Sequence, residues 1–132
     1  MLLEIDHHSG VPIYLQVIRQ IRRQIMTDGL KTGQQLESVR ELAGRIKVNP
    51  MTISKAYSLL EAEGLLERRR GVGLFAAKVK KGKRQEVKQK ILSDIVNKAV
   101  VTAVQLDISQ EEAVKLFEKN YREYNDKNRR QK

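Results

Sequence analysis

The 132-residue chain contains no cysteine. Disulfides, thiolate zinc sites and cysteine nucleophiles are excluded at the outset. Histidine is almost as scarce. The two present, His7 and His8, are adjacent and have no clustered carboxylates beside them, so little speaks for a metal site there. No Ser-His-Asp set and no carboxylate pair stands out, which leaves an enzyme without a case. No apolar run approaches the roughly 18 residues that a membrane span needs. The opening "MLLEIDHHSG" lacks the basic and long apolar regions of a signal peptide. The expectation is a cytoplasmic protein with no membrane partner, no metal and no other cofactor.

What the chain has is positive charge. Lys and Arg outnumber Asp and Glu 26 to 16, giving a formal net charge of +10. A small domain this basic seeks a polyanion, nucleic acid first and anionic membrane second. Its length allows one modest domain, or a small domain with an appendage.

Apolar spacing and cap residues predict the organisation. Ile13, Tyr14, Val17, Ile18, Ile21 and Ile25 make one stripe of a first helix, capped by Ser9 or Gly10 and stopped at Gly29, with Arg19, Arg22 and Arg23 off the stripe. Ser38 and Glu41 form a capping box that opens a second helix, whose buried face is Val39, Leu42, Ala43 and Ile46. Asn49 then caps a third helix with Pro50 in its first turn. Its inner face is Ile53, Ala56, Tyr57 and Leu60, and Gly64 ends it. So short a connection implies a sharp helix-turn-helix corner. Leu65 to Arg69 and Val72 to Ala77 read as a β-hairpin. Three helices and a hairpin make an α+β winged helix-turn-helix over residues 1–78.

Residues 79–132 read as a short all-α tail. Lys78 to Lys90 has the composition of a basic linker. A fourth helix carries Val87, Ile91, Ile95, Ala99 and Ala103, widened by Leu92, Val96, Val100 and Val104. Ser109 and Glu112 cap a fifth, with Ala113, Leu116, Phe117, Tyr121 and Tyr124 expected inward and a fraying "NDKNRRQK" end. Two helices cannot bury so wide an apolar face alone, which implies a partner surface.

The candidate chemistry lies at the start of the third helix and in the hairpin. A helix entering the major groove reads bases with its N-terminal residues, here Asn49, Met51, Thr52 and Lys55. Thr52 and Lys55 suit phosphate or base-edge contacts, and Met51 suits a thymine methyl. The competing reading makes Asn49 only a cap and Lys55 only a solvated lysine. Ser38 and Arg40 stand at the second helix N-terminus, where backbone N–H groups attract phosphate, although Glu37 beside them opposes it. Arg68, Arg69 and Arg70 precede Gly71 in the hairpin turn, and at most two of them share a face. A turn of this kind can lie in a minor groove. The "GVG" there lacks the strand-to-helix setting of a nucleotide loop.

The stretch "GQQLESVRELAGRIKVNPMTISKAYSLLEAEGLLERRRGVGLF" resembles the winged-helix signature of the GntR family of bacterial transcription regulators. The resemblance spans about residues 11 to 77, and the short helical tail is similar to that of the YtrA-like subfamily. It implies a sequence-specific DNA-binding regulator: a homodimeric repressor on two-fold double-stranded operators, acting on its own operon and on neighbouring transporter genes. It places Ser38, Arg40, Thr52, Lys55, Arg70 and Gly71 on family DNA-contact positions. Glu37 stands where the family has proline, Leu74 where it has threonine, and Pro50 where several relatives have arginine. The alternative use of such a scaffold is as a protein-interaction module. Any small-molecule effector is expected at the dimer interface or the linker, near Tyr14, Tyr121 or Tyr124, against the favoured reading of those tyrosines as packing.

Overall fold

The computed structural model describes residues 1–130. Three helices come first: α1 (Ile13–Met26), α2 (Val39–Ile46) and α3 (Pro50–Ala62). An antiparallel hairpin of β1 (Leu66–Arg69) and β2 (Gly73–Ala76) follows, then α4 (Lys81–Gln105) and α5 (Gln110–Arg130). The chain forms two compact units, Met1–Lys88 and one from Gln89 onward.

The first unit is built around α1 and α3. Val17, Ile18, Ile21 and Ile25 are buried on α1, and Ile53, Ala56, Tyr57 and Leu60 on α3, as helical spacing predicts. Leu42 and Ala43 close the core from α2, while Val39 and Ile46 are only half-buried. The caps of α2 and α3 form as expected. Ser38 Oγ accepts from the Glu41 backbone N–H at 3.1 Å, and Asn49 Oδ1 accepts from that of Met51 at 2.9 Å. Between these helices Lys47 turns the corner in the left-handed region, at φ 55°.

The hairpin gains a third strand-like neighbour. The Leu36 N–H donates to the Leu74 carbonyl at 2.9 Å, and Gly33 and Gln34 exchange bonds with Ala76 at 2.8 Å each. This pairing fastens the segment leading into α2 directly to β2.

Several expectations are corrected. Neither Ser9 nor Gly10 caps α1; Pro12 occupies that position, and the Ser9 hydroxyl accepts from Val11 N–H instead. α1 stops before Gly29, because Asp28 already takes a left-handed φ of 61°. Arg22, off the apolar stripe as expected, meets the end of α3. Its guanidinium reaches Glu63 at 2.7 Å, tying α1 to the end of α3.

The residues before α1 are hydrogen-bonded to it. Gln16, Gln20 and Gln24, spaced four apart on one face, use their carboxamides on the backbone of Asp6, Glu4 and Leu2 respectively. The strap they hold buries Leu3.

Most of the basic stretch after the hairpin is helix, for α4 begins at Lys81 and only residues 77–80 connect it to β2. Burial of Val87 and the reach of Arg84 to the Met26 carbonyl, 3.0 Å away, anchor its first turns despite Gly82.

In the second unit, Ser109 caps α5 by accepting from Glu112 N–H at 3.2 Å. Leu116, Phe117, Tyr121 and Tyr124, expected inward, are all exposed, since neither helix of the pair is wide enough to cover them. Asn125 to Arg130 continue the helix, and Gln131 and Lys132 of the expected frayed end lie outside the described residues.

Removing the α3 cap tests this account. Asn49→Ala should lower the unfolding free energy by about 1 kcal/mol in urea titration, and Asn49→Ser should restore most of it.

Candidate nucleic-acid interface

The exposed end of α3 carries the main cluster. Pro50 and the Asn49 cap set its first turn, leaving Met51 78% exposed and Lys55 exposed, with Thr52 half-buried. Met51, Thr52 and Lys55 share one shallow depression of about 530 Å³ with Ile13 and Tyr14 of α1. The Lys55 Nζ lies 3.9 Å from the centre of the Tyr14 ring, a cation–π contact. Helical spacing places Tyr14 on the inner stripe of α1 and gives no sign of this. Sequence reasoning therefore missed Tyr14 as part of the surface.

A second cluster joins the α2 start to the hairpin. Ser38, Glu37, Glu41, Tyr57 and Arg68 line a groove of about 560 Å³ with Val72, Gly73 and Leu74. Gln35, another residue the sequence left unremarked, donates to the Val72 carbonyl at 3.1 Å. A Cβ on Gly73 would lie 3.0 Å from that same carboxamide, and Gly73 has a φ of 141°. A larger residue there would strain the turn and push against the Gln35 carboxamide. Leu74 is buried, so its departure from threonine serves the interior.

The three hairpin arginines separate by role. Arg68 pairs with Glu61 at 3.2 Å. Arg69 stacks on Phe75, its guanidinium carbon 4.0 Å from the ring centre. Arg70 and Gly71 form the exposed turn, with Gly71 at φ 78°. Arg40 is exposed on α2 and makes no ion pair among the described residues.

Glu37 is neutralised in place. The Arg45 guanidinium bonds it through Nε and Nη2, with contacts of 2.7 to 3.1 Å, and also donates to the Met1 carbonyl. That hydrogen bonding holds the Glu37 carboxyl below its ordinary value despite some opposing desolvation. Burial pushes the Tyr57 phenol up, with the Glu37 charge adding to it, so the phenol stays a donor to the Glu37 carbonyl at 2.8 Å. The charge that seemed to oppose a phosphate near Ser38 is thus already paired. Ser38 Oγ itself is engaged by Glu41, at 3.0 Å from its Oε1, which makes it first a cap.

His7 and His8 lie exposed in a turn, and among the described residues no group of three or more His, Cys, Asp or Glu could hold a metal ion. No helix among them is long and apolar enough to cross a membrane.

Residues 13–75 match the family model described as "Bacterial regulatory proteins, gntR family". The chain belongs to the GntR family. This GntR-family chain is 37% identical over 102 residues to the HTH-type transcriptional repressor YtrA of Bacillus subtilis, covering 77% of this chain and 78% of that protein. It is similar to a GntR family transcriptional regulator from Listeria monocytogenes, with 30% identity and a TM-score of 0.73 over 87% of this chain and 98% of the other. It also resembles the AraR DNA-binding domain in complex with operator ORX1, at 30% identity and a TM-score of 0.52. That match covers 57% of this chain and 96% of the domain. The chain is a DNA-binding transcription regulator with a winged helix-turn-helix, and the relatives it resembles are regulators rather than enzymes.

The Glu37–Arg45 pair has a testable pH signature. A carboxyl with a lowered folded pKa adds stability above its unfolded value, and loses it as pH falls through the folded one. Relative to wild type, Glu37→Gln should therefore be less stable at neutral pH and lose less between about pH 5 and about pH 3. Urea unfolding across that range measures it.

Proposed function

We propose that this regulator is a cytoplasmic homodimeric repressor of its own operon, each protomer reading one half of a two-fold operator. The observation that carries the reading is the exposed N-terminal end of α3. Met51, Thr52 and Lys55 line one surface depression there, and the same compact unit carries a basic, exposed hairpin turn. Such an end approaches base edges in the major groove, while Arg69, Arg70 and Gly71 suit the flanking minor groove or its phosphates. Arg40 suits a guanine edge or a phosphate. Ser38 and Asn49 act mainly through the helix starts they hold, with the α2 backbone N–H groups near a phosphate. Repression is carried over from the YtrA likeness, and operator binding is supported by the AraR one. A protein-interaction module would not need this charge arrangement.

Dimerisation rests on the second unit. Leu92, Val96, Val100 and Val104 of α4 and Phe117 and Tyr121 of α5 are exposed. Val96, Val100, Val104 and Phe117 line an apolar groove of about 690 Å³ with Ala99, Ala103, Ile108 and Ala113. An exposed apolar face this extended fits a second copy, matching the two-fold symmetry of an operator.

Sedimentation at micromolar concentration should give a dimer, and the fragment Met1–Lys88 a monomer with far weaker DNA binding. A monomeric full-length protein would refute the homodimer. Mobility shifts on DNA upstream of its own gene test the rest. Arg40→Ala should cost about 1–3 kcal/mol and relax preference at one base position. Arg70→Ala should weaken all sequences alike and flatten the salt slope by about one unit.

A further inference from the structure

The Tyr14–Lys55 contact has no part in the core. Tyr14 is half-buried at the first turn of α1, and Lys55 is exposed on α3. Their side chains meet at the rim of the depression that Met51 and Thr52 also line. Lys55 makes no ion pair among the described residues, so its charge is not neutralised. A lysine stem free in solvent has large rotamer freedom, which is lost when the ammonium is fixed on a ligand. Here the ring face holds the ammonium in one direction before any ligand arrives. A carboxylate in that place would also orient Lys55, but it would repel a phosphate and cancel the charge. An aromatic face orients the cation and leaves its charge available.

We infer that Tyr14 is a positioning residue of the DNA-reading surface, presetting Lys55 beside Met51 and Thr52 for contact with the operator. This rests on the DNA-binding reading above and extends the surface from α3 to the first turn of α1. The effect belongs to the ring rather than to the hydroxyl. Tyr14→Phe should then keep operator affinity, and Tyr14→Leu should lose about two- to fivefold per half-site, the range of an exposed cation–π contact. On a two-fold operator both half-sites lose it, giving roughly four- to twenty-fivefold. In a Lys55→Ala background Tyr14→Leu should change nothing further, because the group it positions is gone.

The test uses full-length protein and a duplex enriched by the wild type from a randomised pool, with affinities by fluorescence anisotropy and a thermal melt of every variant. Loss in Tyr14→Leu, rescue in Tyr14→Phe, and no further loss with Lys55→Ala support the assignment. Equal affinity of Tyr14→Leu and wild type overturns it, as does a Tyr14→Leu loss that adds fully to that of Lys55→Ala. If Tyr14→Leu melts early, the Phe variant and the double-variant comparison still decide. A wild type that enriches no duplex sinks the DNA-binding reading itself, and this assignment with it.

Discussion

Only Lys47, Val48 and Asn49 lie between α2 and α3, and that corner governs the placement of the side chains α3 presents. A connection so short suits the sharp corner of a helix-turn-helix, in which the second helix leaves the first at an angle. Lys47 accepts a left-handed backbone to make the bend, and the Asn49 carboxamide starts the new helix at once. From there the buried set Ile53, Ala56, Tyr57 and Leu60 fixes the rotation of α3 about its axis. Met51 and Lys55 face outward because those four face inward. A slip of one residue at the corner would turn the reading face into the core.

The charge of the first unit is arranged by the same economy. Three of its carboxylates are taken by specific guanidinium groups: Glu37 by Arg45, Glu61 by Arg68 and Glu63 by Arg22. Bidentate or short contacts of this kind neutralise acid charge locally. What is left over is cationic and directed. Arg69 is steered by Phe75 and Lys55 by Tyr14, so both keep their charge while losing freedom. A net charge of +10 could have belonged to scattered lysines. Paired acids and ring-supported cations turn it into a surface with a defined face.

Much of this was legible in the order of residues, and the exceptions have physical causes. The Ser38 and Asn49 caps and the inner face of α3 follow from local rules, because caps and helical periodicity act within one or two turns. Pairings between distant elements left no local trace. Nothing in the chain's order announces that Arg45 reaches back to Glu37, or that Tyr14 leans under Lys55. The strap before α1 was partly visible after all, in Gln16, Gln20 and Gln24 at four-residue spacing, yet carboxamides at that spacing also occur on solvated faces. The start of α4 was misjudged because lysine composition resembles a linker. Lysine is a good helix former, and the single buried Val87 with the Arg84 anchor is enough to outweigh Gly82.

The helical tail raises the question of how a regulator of this size could be controlled. Tyr14, one candidate for a ligand contact, is engaged with Lys55 in the first unit, whereas Tyr121 and Tyr124 are exposed on α5. The groove on α4 and α5 is large enough for a small molecule, but its lining is almost wholly apolar and lacks the few convergent polar groups that fix a ligand's orientation. Alanines 99, 103 and 113 instead leave room for another helix to approach closely, with valines and Phe117 available to interdigitate. On the homodimer reading, the surface that would bind an effector is the one the second copy fills. Control then falls to the dimerisation equilibrium itself, so occupancy of an operator depends steeply on how much of the protein is present.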